Sequence, residues 1–279
     1  MRVLLCLNNE FMSNLALNRL RPALVGHEFE IVLSRGVGKP SAVRARAFEE
    51  WQSFERGLIE EELFPLIETR GADARWFQSF AQLARTSASG KPQEFAALNR
   101  DEGLAFVRGF APDLIVSIRF GQIFKPPLIA IPRLGVVNLH SGILPDYRGI
   151  LATFWAMLHG ESEIGCTLHS VVDAGIDLGP IIGIRRRPVV PERSLMWNVA
   201  SLYGAGTAMV ADAIAALSSG RAIANVPQRP DAGHYFTLPN DDEMQRFLDC
   251  GYRLYSRDDY GELLQDYGVA FGKEGMELR

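Results

Sequence analysis

Runs of hydrophobic residues alternate along the chain with segments whose apolar positions recur at helical spacing. The first run, residues 2–7 (RVLLCL), is continuous, which is typical of a strand covered on both faces. Further runs at 28–34, 112–118 and 135–140 predict three more buried strands, and the spacing in 101–110 predicts a helix. Strands that alternate with helices favour an α/β fold with a doubly wound, mostly parallel sheet.

The second half of the chain predicts a change of strand direction. Two strands are expected at 165–172 and 180–190, joined by a tight turn, so the last strands should join the sheet antiparallel. A helix over about 194–218 follows them. Near the N-terminus, we expect Ser13 to cap a helix over 13–24, because serine is a preferred residue at that position.

Two segments stand outside this pattern. Residues 41–100 are rich in alanine, arginine, glutamate and aromatic residues at helical spacing, and they predict a helical insertion. Residues 221–279 predict a small, acidic C-terminal appendage. The expected organisation is therefore a main domain over 1–220, which contains the insertion, followed by the appendage.

Length, charge and cysteine content narrow the class of protein. A chain of 279 residues with 47% hydrophobic residues can bury a full core. Its net charge of -4 and the lack of a long basic run argue against nucleic acid or an anionic membrane as a partner. Cys6, Cys166 and Cys250 are widely spaced, which fits a reducing cytoplasm and predicts neither disulfides nor a metal site. We find no apolar stretch of the roughly 20 residues that a membrane span requires, so a cytoplasmic location is expected.

Polar side chains follow the predicted strand at 135–140. Asn138 and His140 lie two positions apart, so their side chains point to the same face at the strand's end. Asp177 lies in a loop bracketed by Gly175 and Gly179, as tight turns require. If the flanking strands are neighbours, an amide, an imidazole and a carboxylate converge at one edge of the sheet, where ligands of such sheets bind.

Each of these residues alone also has a structural interpretation. Asn138 and His140 could be hydrogen-bonding residues of a strand end, and aspartate is common in turns. His169 lies inside a predicted strand, and we interpret it as structural. The segment 119–124 (RFGQIF) follows another predicted strand and is expected at the same edge as Asn138.

The wider motifs carry a family resemblance. The segment 138–149 (NLHSGILPDYRG) resembles the N-x-H-P-S-x-L-P-x-Y-R-G signature of the folate-dependent formyltransferases. The segment 165–182 (GCTLHSVVDAGIDLGPII) resembles their second signature, and 111–124 (APDLIVSIRFGQIF) is similar to the segment that leads to their pterin pocket. The chain departs from the pattern at Ser141 and Gly142, where the family usually has Pro-Ser, so the turn after His140 is less rigid here.

The resemblance implies a Rossmann-like catalytic domain and a catalytic trio of Asn138, His140 and Asp177. In this chemistry a formyl group passes from N10-formyltetrahydrofolate to an amine. Asn138 and a protonated His140 would stabilise negative charge on the formyl oxygen, and Asp177 would carry a proton. The resemblance also implies which residues hold the cofactor, without a metal. They are Phe120, Gly121, Gln122 and Ile123, mainly through their backbone, and Asp173 in the 173–177 loop.

The resemblance leaves the acceptor open. The first loop, residues 7–14 (LNNEFMSN), has no glycine, whereas the purine enzymes of the family bind a phosphate through a glycine-rich loop there. Residues 231–279 contain eleven Asp or Glu against five Lys or Arg, which disfavours RNA. A small-molecule amine remains, either a hydroxyornithine-like amino acid, as in siderophore biosynthesis, or an amino-sugar nucleotide. A formyltetrahydrofolate hydrolase that releases formate and a non-catalytic folate-binding module are the alternatives, and a homo-oligomer is possible.

Overall fold

The structure is a computed structural model that describes residues 1–36, 44–229, 231–272 and 275–279. Its strands are β1 (Arg2–Asn8), β2 (Glu28–Ser34), β3 (Gln93–Glu94), β4 (Leu114–Ile118), β5 (Val136–His140), β6 (Tyr147–Gly149), β7 (Glu163–Val171), β8 (Ile181–Pro188), β9 (His234–Phe236), β10 (Val269–Phe271) and β11 (Met276–Leu278). Its α-helices are α1 (Phe11–Leu20), α2 (Arg46–Gly57), α3 (Phe64–Thr69), α4 (Phe80–Ala84), α5 (Asp101–Phe110), α6 (Pro126–Ile129), α7 (Ala152–Leu158), α8 (Leu195–Ser218), α9 (Asp241–Asp249) and α10 (Arg257–Leu264). A π-helix at Leu58–Leu63 joins α2 to α3, and 3-10 helices cover Arg21–Leu24 and Gln265–Tyr267.

The main sheet has seven strands in the order β3-β2-β1-β4-β5-β7-β8. The strands from β3 to β5 run parallel, while β7 lies antiparallel to β5 and β8 antiparallel to β7. This arrangement confirms the predicted α/β fold with a mostly parallel sheet and antiparallel last strands. The order reverses at β1, so the carboxyl ends of β1, β4 and β5 lie side by side at one edge.

The central strand β1 is buried on both faces. Val3, Leu5 and Leu7 pack into one hydrophobic cluster, and Leu4 and Cys6 pack into a second cluster on the opposite face. Each buried leucine side chain contributes about 1.5–3 kcal/mol to the stability of the fold. A continuous apolar run gains this energy at every position only where both faces of its strand are covered. The sheet therefore holds its strand ends rigidly, and it positions the polar residues that follow them.

Helix α1 begins two residues before the predicted cap. Glu10 is its N-cap residue and Phe11 its first helical residue, so the prediction that Ser13 caps the helix is wrong. The Ser13 hydroxyl instead accepts a hydrogen bond from the Asn8 amide and donates one to Glu10 Oε1. The helix can start early because the Glu55 carboxylate accepts a hydrogen bond from the Phe11 amide, which the first turn itself leaves unpaired.

Helix α8 is the longest helix, with 24 residues, and it is long and apolar enough to cross a membrane by length and composition. The expectation that no apolar stretch reaches that length is therefore wrong. More than half of its most apolar window is buried, and the helix packs against α1 and β7. Burial in the protein core thus accounts for its composition.

The predicted insertion is mostly helical, but its last part belongs to the main sheet. Helices α2 to α4 and the π-helix lie within residues 44–84, whereas Gln93–Glu94 pair with β2 as the edge strand β3. Residues 41–43 of the predicted insertion lie outside the described residues, as do 230, 273 and 274 of the predicted appendage. A two-residue strand is too short to leave a period in the sequence, which explains why β3 was not predicted.

The C-terminal segment packs against the N-terminal half of the chain. Trp51 Nε1 donates a hydrogen bond to the Tyr260 hydroxyl at 3.2 Å, and the rings of Phe54 and Tyr255 stack with centroids 4.7 Å apart. Strand β9 also pairs with β6, directly after the first signature motif. The buried residues of this segment share one hydrophobic cluster with the main sheet. A domain boundary at 220 stays a prediction.

Candidate active site

The pairing of β5 with β7 determines which side chains meet at the sheet's edge. In this antiparallel register Asn138 lies opposite His169, and His140 lies opposite Thr167. Asn138 is half-buried, whereas the His140 and His169 side chains are only 8% and 2% exposed. The alternation of strand side chains therefore brings Asn138 and His140 to one face, as the sequence predicted, and it adds His169.

The loop that carries Asp177 is fixed by close backbone contacts. Asp177 has a φ of 56°, a left-handed conformation that is uncommon for a residue other than glycine. A Cβ atom at Gly179 would lie 1.7 Å from the Ser170 carbonyl oxygen, so only glycine fits there. The Gln228 side chain donates hydrogen bonds to the carbonyl oxygens of Asp177 and Gly179, at 2.9 and 2.6 Å. The loop is thus held from both the sheet and the C-terminal segment.

The Asp177 carboxylate is the centre of a hydrogen-bonded network. Its Oδ2 atom accepts from the Gly149 amide at 2.8 Å and lies 3.5 Å from His140 Nδ1. Its Oδ1 atom lies 3.3 Å from His169 Nε2 and 3.4 Å from Asn138 Nδ2. The structure therefore brings together all three residues of the predicted trio, and four groups converge on one buried carboxylate.

These contacts control the ionisation of Asp177. Burial alone would raise its pKa, but the charges of His140 and His169, together with hydrogen bonds from His169 and the Gly149 amide, lower the pKa to about 2. The side chain is only 9% exposed, so water screens these interactions poorly. Asp177 is consequently a stable anion at neutral pH.

The two histidines are oriented by backbone carbonyl groups. His140 Nε2 donates to the Tyr147 carbonyl oxygen at 2.7 Å, so its Nδ1 atom faces Asp177. His169 Nδ1 donates to the Ser170 carbonyl oxygen at 3.0 Å. Its Nε2 atom then either accepts from Asn138 Nδ2 at 3.1 Å or, when the ring is protonated, donates to Asp177. A neutral His169 ring can therefore bind the Asn138 amide, and a protonated ring can bind the Asp177 carboxylate.

The loop implied to bind a pterin lies beside β4, and part of it is already used in internal contacts. The Gly121 amide donates to Ser34 Oγ at 2.8 Å, and a Cβ atom at Gly121 would lie 1.8 Å from the Gly36 carbonyl oxygen. The Gln122 side chain bonds the backbone of Phe95 and Leu98, near the end of the insertion. Gln122 thus anchors the loop through its side chain.

The remaining residues of the implied cofactor site are more accessible. The Ile123 side chain is 52% exposed, while its carbonyl oxygen accepts from Asn99. The ring of Phe120 packs against that of Phe124, with centroids 5.5 Å apart. Asp173 is exposed and accepts a hydrogen bond from the Gly175 amide, so it forms a local turn. These residues flank the site but do not touch the Asp177 network.

A second charged cluster lies at the ends of β1 and β4. The Arg119 guanidinium forms a two-pronged ion pair with the Glu10 carboxylate. Behind it, Glu55 Oε1 accepts from the Phe11 amide at 3.0 Å, and Glu55 Oε2 accepts from the Tyr260 hydroxyl at 2.7 Å. Burial and the nearby Glu10 raise the pKa of Glu55 to about 7. No motif or periodicity in the sequence predicted this cluster.

Sequence reasoning missed two residues of the site. His169 was interpreted as structural because it lies within a strand, and only the β5–β7 register places it against Asn138. Gln228 lies 51 residues after Asp177 and in no motif. The H-S pair at 169–170 of the second signature was the one available signal for His169. Among the described residues, no group of three or more His, Cys, Asp or Glu could hold a metal ion.

Comparison with known proteins relates the segment that carries this site to a family. Residues 79–206 match the family model described as "Formyl transferase". That segment contains Asn138, His140 and Asp177. Over these residues the chain is similar to the formyl transferase family.

Curated proteins similar to this chain are named methionyl-tRNA formyltransferases. A methionyl-tRNA formyltransferase of Synechococcus sp. (strain JA-3-3Ab) is 32% identical over 149 residues, which are 53% of this chain and 46% of the relative. The chain thus spans about half the length of the curated relatives it matches. The site lies within the residues that match the family model, 79–206.

Solved structures share the fold. A sugar N-formyltransferase from Shewanella sp. FDAARGOS_354 superposes with a TM-score of 0.52 at 14% identity, over 100% of this chain and 96% of that chain. Glycinamide ribonucleotide transformylase 1 from Symbiobacterium toebii gives a TM-score of 0.55 at 16% identity, over 82% and 94%. At such low identity the likeness establishes the fold alone, and the acceptor has to be argued from the site.

Proposed function

We propose that this protein transfers a formyl group from N10-formyltetrahydrofolate to the amine of a small molecule. The observation that carries the proposal is the network around Asp177, in which a buried carboxylate joins Asn138, His140 and His169 at the edge of the sheet. Formyl transfer needs donors for the charge that develops on the formyl oxygen and a group that takes the proton of the amine. An amide, imidazoles and a carboxylate provide both.

In the proposed reaction each residue has a separate role. His140 lies 3.5 Å from Asp177 and is oriented by the Tyr147 carbonyl oxygen, so a protonated ring would place positive charge beside the formyl oxygen. Asn138 offers an amide N–H to the same oxygen. Losing one such donor costs about 10²–10³ in rate. Asp177 accepts the proton of the attacking amine, directly or through a water molecule, as the new bond to the formyl carbon forms. That proton then passes to N10 of the folate as the bond from N10 to the formyl carbon breaks, which releases tetrahydrofolate.

The folate donor is proposed to bind along the loop of Phe120 to Ile123 and the loop that contains Asp173. Ile123 and Val172 expose more than half of their side-chain surface on these loops, at 52% and 59%. Apolar side chains that flank polar groups are suited to an aromatic ring system. The proposed acceptors are a hydroxyornithine-like amino acid, which would connect the enzyme to siderophore biosynthesis, or an amino-sugar nucleotide. A cytoplasmic location fits either pathway.

A direct assay tests this function. Purified protein is incubated with N10-formyltetrahydrofolate and candidate amines, and formylated products are detected by mass spectrometry. We expect product only with an amine acceptor, and loss of product in Asn138→Ala. Release of formate at the same rate without any amine would identify a hydrolase instead. Binding of 5-formyltetrahydrofolate with neither reaction would identify a non-catalytic folate-binding module.

A tRNA acceptor is the second candidate, because the curated relatives are named methionyl-tRNA formyltransferases. The net charge of -4 and the acidic residues of 231–279 favour a small molecule. Fluorescence anisotropy with initiator methionyl-tRNA at about 150 mM salt separates the two. We expect only weak binding in the non-specific range of about 10⁻⁴–10⁻⁶ M. Tight, saturable binding would make tRNA the acceptor.

A further inference from the structure

We propose that the ion pair of Glu10 and Arg119, with Glu55 behind it, recognises the acceptor and selects a zwitterionic amino acid over a phosphate-bearing molecule. This inference rests on the proposed formyl transfer, because it assigns the acceptor side of the same site. The pair lies at the carboxyl edge of the main sheet. Arg119 directly follows β4, where Ile118 pairs with Leu139, so Arg119 lies level with His140 on the neighbouring strand.

The pair can be reached from solvent. The side chains of Glu10 and Arg119 are each 18% exposed, whereas the Glu55 residue behind them is 8% exposed. A salt bridge buried only for structure gains little net stability, because desolvation offsets the attraction between the charges. Arg119 also has a φ of 57°, and such left-handed residues cluster at functional sites. Location, partial exposure and backbone conformation together indicate a binding role.

The start of α1 is closed to a phosphate. Helix N-termini bind phosphates because their first amide groups are unpaired and point along the helix axis. Here the Phe11 amide already donates to the Glu55 carboxylate, and Glu10 is the N-cap residue. Asn9, in the same turn, donates to a third carboxylate, that of Glu60, at 3.2 Å. A phosphate at this position would face the carboxylates of Glu10 and Glu60, and above about pH 7 also the charge of Glu55, which repel it.

A zwitterion would complement the pair, because its negative group matches Arg119 and its positive group matches Glu10. A guanidinium has five N–H donors, and Arg119 uses Nε and one Nη2 donor for Glu10. The buried Tyr203 hydroxyl also lies within hydrogen-bonding reach of Arg119, and the donors that remain are suited to a substrate carboxylate. The Glu10 carboxylate, with Glu60 nearby, is suited to a substrate ammonium group. An α-amino acid carries both groups on one carbon, and its side chain can then extend toward His140.

The test measures binding without any reaction. L-Ornithine and inorganic phosphate are titrated separately into the protein by calorimetry, in the absence of folate. We expect saturable heat with L-ornithine and none with phosphate. Arg119→Met should weaken L-ornithine binding at least about tenfold, because a desolvated charge pair contributes at least that factor. Glu55→Gln keeps an oxygen for the Phe11 amide but removes the charge, so phosphate binding should become measurable.

Control variants keep the test informative. Arg133→Met removes an arginine that pairs with Asp113 at the opposite edge of the sheet, and it should bind L-ornithine like the wild type. Arg119→Lys keeps the charge but loses the two-pronged geometry, so it should bind with intermediate affinity and fold if Arg119→Met does not. Absence of L-ornithine binding, equal binding in the wild type and Arg119→Lys, or phosphate binding by the wild type would each overturn the inference.

The same variants separate this inference from the proposed function. Ornithine binding that depends on Arg119 in a protein that transfers no formyl group would leave the recognition intact and refute the reaction. Formyl transfer to a phosphate-bearing amine such as glycinamide ribonucleotide, unaffected by Arg119→Lys, would refute the recognition and leave the reaction intact. Binding of 5-formyltetrahydrofolate should be equal in all variants, since Arg119 contacts Glu10 and not the implied pterin loop through its side chain.

Discussion

Two clusters of ionisable side chains lie at the same carboxyl edge of the main sheet, and they are built from different groups. At β5 and β7, a single carboxylate, Asp177, meets an amide and two imidazoles. At β1 and β4, the strong ions Glu10 and Arg119 face each other. Imidazoles change charge near neutral pH, whereas arginine does not. The first cluster is suited to moving protons, whereas the Glu10–Arg119 pair of the second cluster is suited to holding fixed charges.

The clusters also differ in how the chain supports them. Both histidines of the first cluster are held by backbone carbonyl groups, and Asp177 by the Gly149 amide. The second cluster depends on side chains from distant segments, such as Glu55 of α2. Backbone support fixes geometry more tightly than long side chains do, because fewer rotatable bonds are involved. Substitutions in the first cluster should therefore change rate, and those in the second should change affinity and stability.

The largest effect is expected for Asp177→Asn. Asparagine tolerates the left-handed conformation that Asp177 adopts, so the loop should keep its structure. An amide cannot accept the amine's proton or stabilise a charged imidazole, so kcat should fall about 10²–10⁴-fold. Product formation, thermal melting and 5-formyltetrahydrofolate binding should be measured together. We expect melting and folate binding to change little.

The double variant Asp177→Asn/Asn138→Ala sharpens this prediction. If the two residues act as a unit, the combined loss of rate should be smaller than the product of the single losses. Near wild-type turnover in a folded Asp177→Asn protein would make Asp177 a structural turn residue. Substitutions in the first cluster would then not differ from those in the second by their effect on rate.

A smaller effect, on stability, is expected when the second cluster loses one partner. Arg119→Met leaves Glu10 without its counter-charge in a site that is 18% exposed, so the free energy of unfolding should fall by about 2–3 kcal/mol. Removing both charges, in Glu10→Gln/Arg119→Met, should recover part of that loss. Urea unfolding of the single and double variants measures the coupling. An unchanged stability in Arg119→Met would show that water screens the pair fully.

Glu55 is expected to make stability depend on pH. Its folded-state pKa, about 7, lies above the ordinary 4.5, so the folded protein holds a proton that the unfolded chain releases between these values. Its contribution is therefore fully present below pH 4.5 and is lost as the pH rises through 7. The expected loss is on the order of 3 kcal/mol, since one pKa unit corresponds to about 1.4 kcal/mol. Melting curves from pH 5 to 8 should flatten in Glu55→Gln, and an equal slope in both proteins would contradict this.

The sequence predicted the first cluster far better than the second. Alternation along 135–140 and the glycines around Asp177 were enough to bring Asn138, His140 and Asp177 together, because short-range rules fix strand faces and turns. The Glu55 contact with the Phe11 amide joins residues 44 positions apart, through an insertion whose packing no local pattern encodes. The register of β5 with β7, which brings in His169, also depends on tertiary pairing.

The smallest effect is expected for His169, which sequence reasoning treated as structural. Its Nδ1 atom is fixed on the Ser170 carbonyl oxygen, so its Nε2 atom is free to hold either Asn138 or Asp177. In His169→Gln the side-chain amide can still bond one of these groups but cannot become charged. We expect kcat to fall about tenfold, less than for Asp177→Asn, because misplaced catalytic groups cost rate without removing the chemistry.

The pH dependence of kcat separates a positioning role for His169 from a purely structural one. A structural histidine would shift the melting temperature and leave the shape of the pH–rate profile unchanged. A histidine that exchanges Asn138 for Asp177 when it is protonated would contribute an ionisation to that profile, and His169→Gln would remove it. His159→Gln, a histidine variant outside the Asp177 network, serves as the control and should keep the wild-type profile. Identical profiles in the wild type and His169→Gln would return His169 to the structural role.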